Sequence, residues 1–138
     1  MGKLPLLTRR SAIVAGAAAG LQPLLGSAAV AQTAFLAAPA ALLMVDASSC
    51  HYCRRWHADV RQGYQNSEEG RFAPLMIRQA GNPDLRVVKG LVYTPTFVAY
   101  SGGTEIGRIV GYQGADHFWG EVGGILRQAG FKPVKRGT

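Results

Sequence analysis

The chain is short of cysteine, histidine and acid: its 138 residues carry two cysteines, three histidines and eight Asp or Glu against fifteen Lys or Arg. With one C-x2-C and no second cysteine pair, a four-ligand structural zinc site has two donors in its motif and only His51, His57 and His117 to complete it. The residue after the second cysteine is Arg54, where a c-type haem attachment needs a histidine, so that reading fails. Gly102-Gly103 and Gly123-Gly124 follow no phosphate-loop pattern, and no nucleotide-binding motif is present. Basic residues are scattered except for Arg54-Arg55 and Lys132, Lys135 and Arg136, with no Lys/Arg block interleaved with aromatics, so nucleic acid is not an expected partner. No internal repeat is visible, and the length suits one domain.

Residues 1–31 have the layout of an export signal. Lys3, Arg9 and Arg10 form a charged start, an uncharged Ala- and Gly-rich run follows, and Ala29-Val30-Ala31 offers small residues for cleavage. Gln22-Pro23 interrupts the run, which argues for removal over retention as a membrane anchor. Arg9-Arg10 after Thr8 resembles a twin-arginine signal, although Ala12 stands where such signals usually carry Phe, so Sec export stays open. The whole chain is +7, and removing the three positive charges of this segment leaves a mildly basic +4. Export implies a compartment in which disulfides form and persist.

The expected organisation is therefore a signal at 1–31, a linker at 32–40, one domain at 41–130 and a basic tail at 131–138. "ALLMVDA" (41–47) reads as a buried strand. Ser49 as a cap, with Tyr52, Trp56 and Val60 spaced on one face, predicts a helix from Cys50 to Gln62 that ends near Gly63. "NSEEGRFA" reads as polar punctuation, "PLMIRQ" (74–79) as a second strand, and "GNPDLRVVKGL" (81–91) as a turn with Pro83 at the start of a short helix. "TPTFVAY" (94–100), "SGG" and "TEIGRIVGY" (104–112) predict a hairpin. Phe118, Val122, Ile125 and Leu126 predict an amphipathic C-terminal helix stopped by Gly130. The sum is an α/β fold, a mixed sheet flanked by helices.

What can the stretch "SCHYCRRW" do? A disulfide gains stability from closing a long loop, and Cys50 and Cys53 close almost none, which disfavours a staple and suits reversible opening. At a helix tip, the free N–H groups and the positive dipole end favour thiolate over thiol, which makes Cys50 a better nucleophile. Cys50 is expected to attack a partner's disulfide and Cys53, one turn in, to resolve it. The rival from another class is a non-catalytic metal-binding module using Cys50, Cys53 and a histidine. Trp56, Phe118 and Trp119 are expected in the core or at its rim, and His57 and His117 as surface or satisfied histidines.

Cys50-His51-Tyr52-Cys53 after an apolar strand, with Thr94-Pro95 ahead of a later strand, resembles the thioredoxin fold. That resemblance implies a cis Thr94-Pro95 peptide facing the helix that starts at the cysteines, and assigns Thr94 and Pro95 to holding an extended partner segment. The pieces "LLMV", "CHYCRRW", "EGRFAPL", "YTPTFV", "GGTEIGRIVGY" and "HFWG" further resemble the SoxS-type periplasmic thioredoxins of bacterial sulfur-oxidation systems. This implies a periplasmic thiol-disulfide reductase, with His51 and Tyr52 tuning its potential. Its implied substrate is a protein disulfide on a sulfur-carrier protein, and its electron donor a membrane protein of the CcdA/DsbD type. No cofactor or metal is implied, and a monomer is expected. A cytochrome-c-maturation reductase or a disulfide isomerase is the alternative, although the chain has no length for an isomerase's dimerisation domain. Met44 stands six residues before Cys50, where cytosolic thioredoxins carry a buried acid. Asp46 shares Met44's strand face closer to the cysteines, and an exposed strand-end acid is the expectation for it.

Overall fold

β1 (Ala40–Asp46) is buried along its whole length, which requires partners on both edges and cover on both faces. The computed structural model describes residues 34–135, so the export segment at 1–31 and Arg136 of the tail lie outside the described residues. β2 (Leu75–Gln79) runs parallel to β1, while β3 (Thr96–Ser101) runs antiparallel to β1 and β4 (Thr104–Val110) antiparallel to β3. The order β2-β1-β3-β4 makes the expected mixed sheet, with helices on either side. Gly102 and Gly103, at φ of 56° and 79°, form the two-residue hairpin turn that only such backbones fit to the strand twist.

Alternate residues of β1 and β3 feed two cores. Leu42, Met44, Phe97 and Ala99 meet Trp56, Val60, Tyr64, Phe118, Val122 and Leu126 on one face. Leu43, Val45, Val98 and Tyr100 meet Phe35, Leu85 and Val88 on the other. The helix that starts at the cysteines runs through three conformations: α2 (His51–Trp56), a π-helical turn (His57–Arg61) and α3 (Gln62–Asn66). It continues past the expected stop at Gly63 because Tyr64 is fully buried and its hydroxyl donates to the Ala73 carbonyl at 2.7 Å, which fastens the extra turn to the core.

Three short stretches differ from their sequence reading. Residues 34–37 of the expected linker form α1 (Ala34–Ala37), and Phe35 is fully buried against Tyr100 with ring centres 5.2 Å apart. The polar punctuation holds α4 (Glu68–Phe72), which Ser67 caps by accepting the Gly70 N–H at 3.0 Å. Phe131, in the expected tail, packs on Phe72, and Val134 N–H donates to Glu68 at 2.8 Å. The turn at Pro83 is a short 3-10 helix (Pro83–Val87), as its proline anticipates. The last helix, α5 (Ala115–Gln128), ends as expected: Gly130 takes a φ of 92°, and the Phe131 N–H reaches back to the Leu126 carbonyl.

Candidate active site

β1 ends at Asp46, and the segment Ala47–Ser49 turns the chain from its carboxyl end into α2. Cys50 is the N-cap of that helix, in extended backbone geometry (φ −84°, ψ 111°), and its Sγ accepts the Cys53 N–H at 3.1 Å. A sulfur therefore occupies the position that a serine or aspartate oxygen takes at other helix starts. The Cys50 and Cys53 side chains are joined as a disulfide, with Cα atoms 5.2 Å apart. Cys50 is partly open to solvent, whereas Cys53 is 1% exposed beneath it. His51 and Tyr52, between them, both face solvent, with their rings edge to face at 5.4 Å.

The Thr94–Pro95 peptide is cis. Pro95 is buried and Thr94 partly exposed immediately before β3, whose Thr96 pairs with Val45. That register brings Thr94 and Pro95 to the end of β1 from which the cysteine loop departs. Two hydrogen bonds hold the segment in place. The Thr96 hydroxyl, 1% exposed, donates to the Tyr93 carbonyl at 2.6 Å, and the Gly111 N–H donates to the Pro95 carbonyl at 2.8 Å. A cleft of about 350 Å³ opens beside Thr94, lined by Val45, Leu85, Arg86, Leu91 and Tyr93 among others.

Asp46 corrects the expectation of an exposed acid. It is 9% exposed, and its Oδ2 lies 2.8 Å from His57 Nε2 and accepts from Gln79 Nε2 at 3.3 Å. Its Oδ1 accepts the Ala47 N–H at 2.8 Å. Arg61 Nη1, an obligate donor, stands 3.5 Å from His57 Nδ1, which makes Nδ1 the acceptor and Nε2 the N–H that donates to Asp46. The sequence carried a faint signal for this: His57 lies one turn beyond Cys53, and Asp46 shares Met44's face of β1. Thr96 and Tyr112 were missed, having no motif to mark them. The Tyr112 hydroxyl donates to Asp59 at 3.0 Å and the Arg55 guanidinium lies 5.8 Å from its ring centre. Burial, then the bond to Asp59 and its charge, push the Tyr112 phenol up to about 12, with Arg55 pulling the other way.

Trp56 and Phe118 lie in the core as expected, Trp119 is partly buried at its rim, and His117 is exposed. Of the groups the metal-binding reading would use, the cysteines are bonded to each other and His57 is hydrogen-bonded to Asp46. Among the described residues, no three histidine, cysteine or acidic side chains gather as a metal site.

The model of the thioredoxin-like domain matches residues 29–123. This chain belongs to the thioredoxin-like family. Its sheet, its helix-tip cysteine pair and its cis-proline loop are those of a thiol-disulfide oxidoreductase that acts on protein disulfides. Among solved structures, the reduced periplasmic thioredoxin SoxS of Paracoccus pantotrophus is 37% identical, with a TM-score of 0.61 over 65% of this chain and 98% of that one. Thioredoxin from Aeropyrum pernix (21% identity, TM-score 0.53, 68% of this chain and 82% of that one) shares the fold. So does thioredoxin of Malassezia sympodialis (17%, 0.56, 75% and 88%). No curated protein matches the chain.

Proposed function

We propose that this protein is a periplasmic reductase of the SoxS type, which returns the oxidised cysteine of a sulfur-carrier protein to its thiol. The observation that carries this reading is the 37% identity to periplasmic SoxS over 98% of that chain. Sulfur oxidation enters through the SoxS resemblance, and the export-like N-terminus agrees with a periplasmic site.

The chemistry follows from the two sulfurs' positions. In the reduced protein, Cys50 Sγ is the reachable one and sits where the Cys53 N–H and the helix end stabilise negative charge. The Cys50 thiolate attacks one sulfur of the partner's disulfide. A Cys50–partner bond forms, the partner's S–S bond breaks, and the departing thiolate takes a proton from water. Cys53, losing its own proton, then attacks Cys50 Sγ, closes the Cys50–Cys53 bond and releases the second partner thiol. Two electrons have passed to the partner, and a membrane dithiol donor of the CcdA/DsbD type restores the pair. Thr94 and Pro95 present the backbone along which the partner's segment lies. His51 and Tyr52, exposed between the sulfurs, set the potential, and the protein works as a monomer.

The test is to express Cys53→Ala in a sulfur-oxidising host and identify what remains bonded to Cys50. A sulfur-carrier protein is the expected catch. Recovery of cytochrome apoproteins alone would replace this reading with that of a cytochrome-c-maturation reductase.

A further inference from the structure

We infer that the partner segment this site accepts is acidic, with carboxylates on either side of its reacting cysteine. The inference rests on the thiol-disulfide reading of the same site and adds the class of segment it selects.

The side of the molecule that carries the cysteine loop and the Thr94 cleft has cations that are left over once its internal pairs are formed. Arg54 lies over the start of the cysteine loop, donating to the Ser48 carbonyl at 3.3 Å. Arg55 lies against Tyr112, beside Gly111, whose N–H holds Pro95. Arg86 lines the cleft beside the Thr94 loop, and Lys89, three residues on in the chain, is exposed. Among the described residues, none of these four pairs with a carboxylate. The ion pairs formed there are Arg78–Asp84 and Arg108–Glu105, and Asp46 is held by the His57 N–H.

Most acids that could have neutralised the rim are engaged elsewhere: Asp46 and Asp84 are buried with their partners, and Glu105 holds Arg108. Asp59, which accepts the Tyr112 hydroxyl, shares that residue with Arg55 and offsets part of its charge, so Arg54 and Arg86 carry the free charge of the rim. Asp116, exposed at the start of α5, is the counterweight. Exposed apolar groups accompany these cations: Tyr52 between the cysteines at 53%, and Val92 at 75% and Tyr93 at 68% ahead of Thr94, in the cleft that Arg86 also lines. Exposed apolar groups and cations without a carboxylate partner thus occur together on the cysteine helix and at the cleft beside Thr94. This arrangement complements an extended segment with an apolar residue near its cysteine and acids further out. Such complementarity acts chiefly on encounter, and salt removes it.

Three peptides of one length test this, each bearing a single cysteine bonded as a mixed disulfide to uncharged thiopyridone and flanked by Glu, Gln or Lys. The reduced protein converts each to peptide thiol and free thiopyridone while its own dithiol becomes the disulfide, so thiopyridone release reads the rate. The Glu peptide should react about tenfold faster than the Lys peptide at about 0.01 M ionic strength, where the screening length is about 30 Å. The two rates should converge at about 1 M salt, where that length is about 3 Å. Arg86→Glu with Lys89→Glu should bring the Glu-to-Lys ratio towards one, and the ratio cancels any change in intrinsic thiol reactivity. Equal rates in the unaltered protein, a faster Lys peptide, or a ratio untouched by the charge reversals would each overturn the inference. An unreactive Gln peptide would instead strike at the oxidoreductase reading itself.

Discussion

Asp46 at the end of β1 and His57 in the π-helical turn meet at 2.8 Å, tying the strand that delivers the cysteine loop to the helix that receives it. Both side chains are mostly shielded, 12% and 24% exposed, so neither charge nor hydrogen bond is freely replaced by water. His57→Ala leaves the carboxylate with only Gln79 and the Ala47 N–H. The expected loss is about 1–3 kcal/mol of unfolding free energy, read by chemical denaturation. Combined with Asp46→Asn, the two changes should be non-additive by at least about 0.5 kcal/mol. Additive losses would mean that the pair contributes nothing as a pair.

Thr96 acts through the loop it holds. Thr96→Val removes the hydroxyl that fixes the Tyr93 carbonyl while keeping the buried volume. Losing a hydrogen bond worth about 1 kcal/mol at the partner-facing loop should raise KM for peptide disulfides severalfold with little change in kcat. An equal fall in kcat at constant KM would place Thr96's effect on the chemistry instead.

Phe35 reports where the folded body begins. Its side chain is fully buried beneath Tyr100, so Phe35→Ala should cost about 3–5 kcal/mol in thermal or denaturant unfolding. A change below about 0.5 kcal/mol, the range of an exposed site, would return residues 34–37 to linker status.

Tyr112 makes stability fall in alkali. Its phenol ionises at about 12 when folded against 10.0 for the free group, so the folded state holds its proton longer. That contribution is complete below pH 10.0 and is lost as pH rises towards about 12. Tyr112→Phe should lack this part of the decline in a pH series of denaturation midpoints, and parallel curves for the two proteins would contradict it.

What could be read in advance followed the range over which each signal acts. The hairpin, β1 and the end of α5 were legible because glycines and apolar runs govern their own neighbourhood. The cysteine pair was legible because chemistry and spacing coincide in four adjacent residues. The length of the cysteine helix was not, because Gly63 argues locally for a stop while Tyr64 finds its partner at Ala73 across a turn. Asp46 and His57 were read separately for the same reason: a strand-end acid and a helical histidine become one unit only when β1 and the helix are packed. Phe35 and Phe131 sit in stretches of small or basic residues, so only the folded core reveals that each fills a place in it.

The central claim, that Cys50 and Cys53 act as one exchangeable dithiol with Cys50 the attacking sulfur, is tested most directly by insulin-disulfide reduction by the protein and its single-cysteine variants. The unaltered protein should turn over. Both Cys50→Ala and Cys53→Ala should not, and mass spectrometry should find an insulin chain bonded to Cys50 in the Cys53→Ala protein. Turnover that persists without Cys50, or an adduct that forms only on Cys53, would contradict the account.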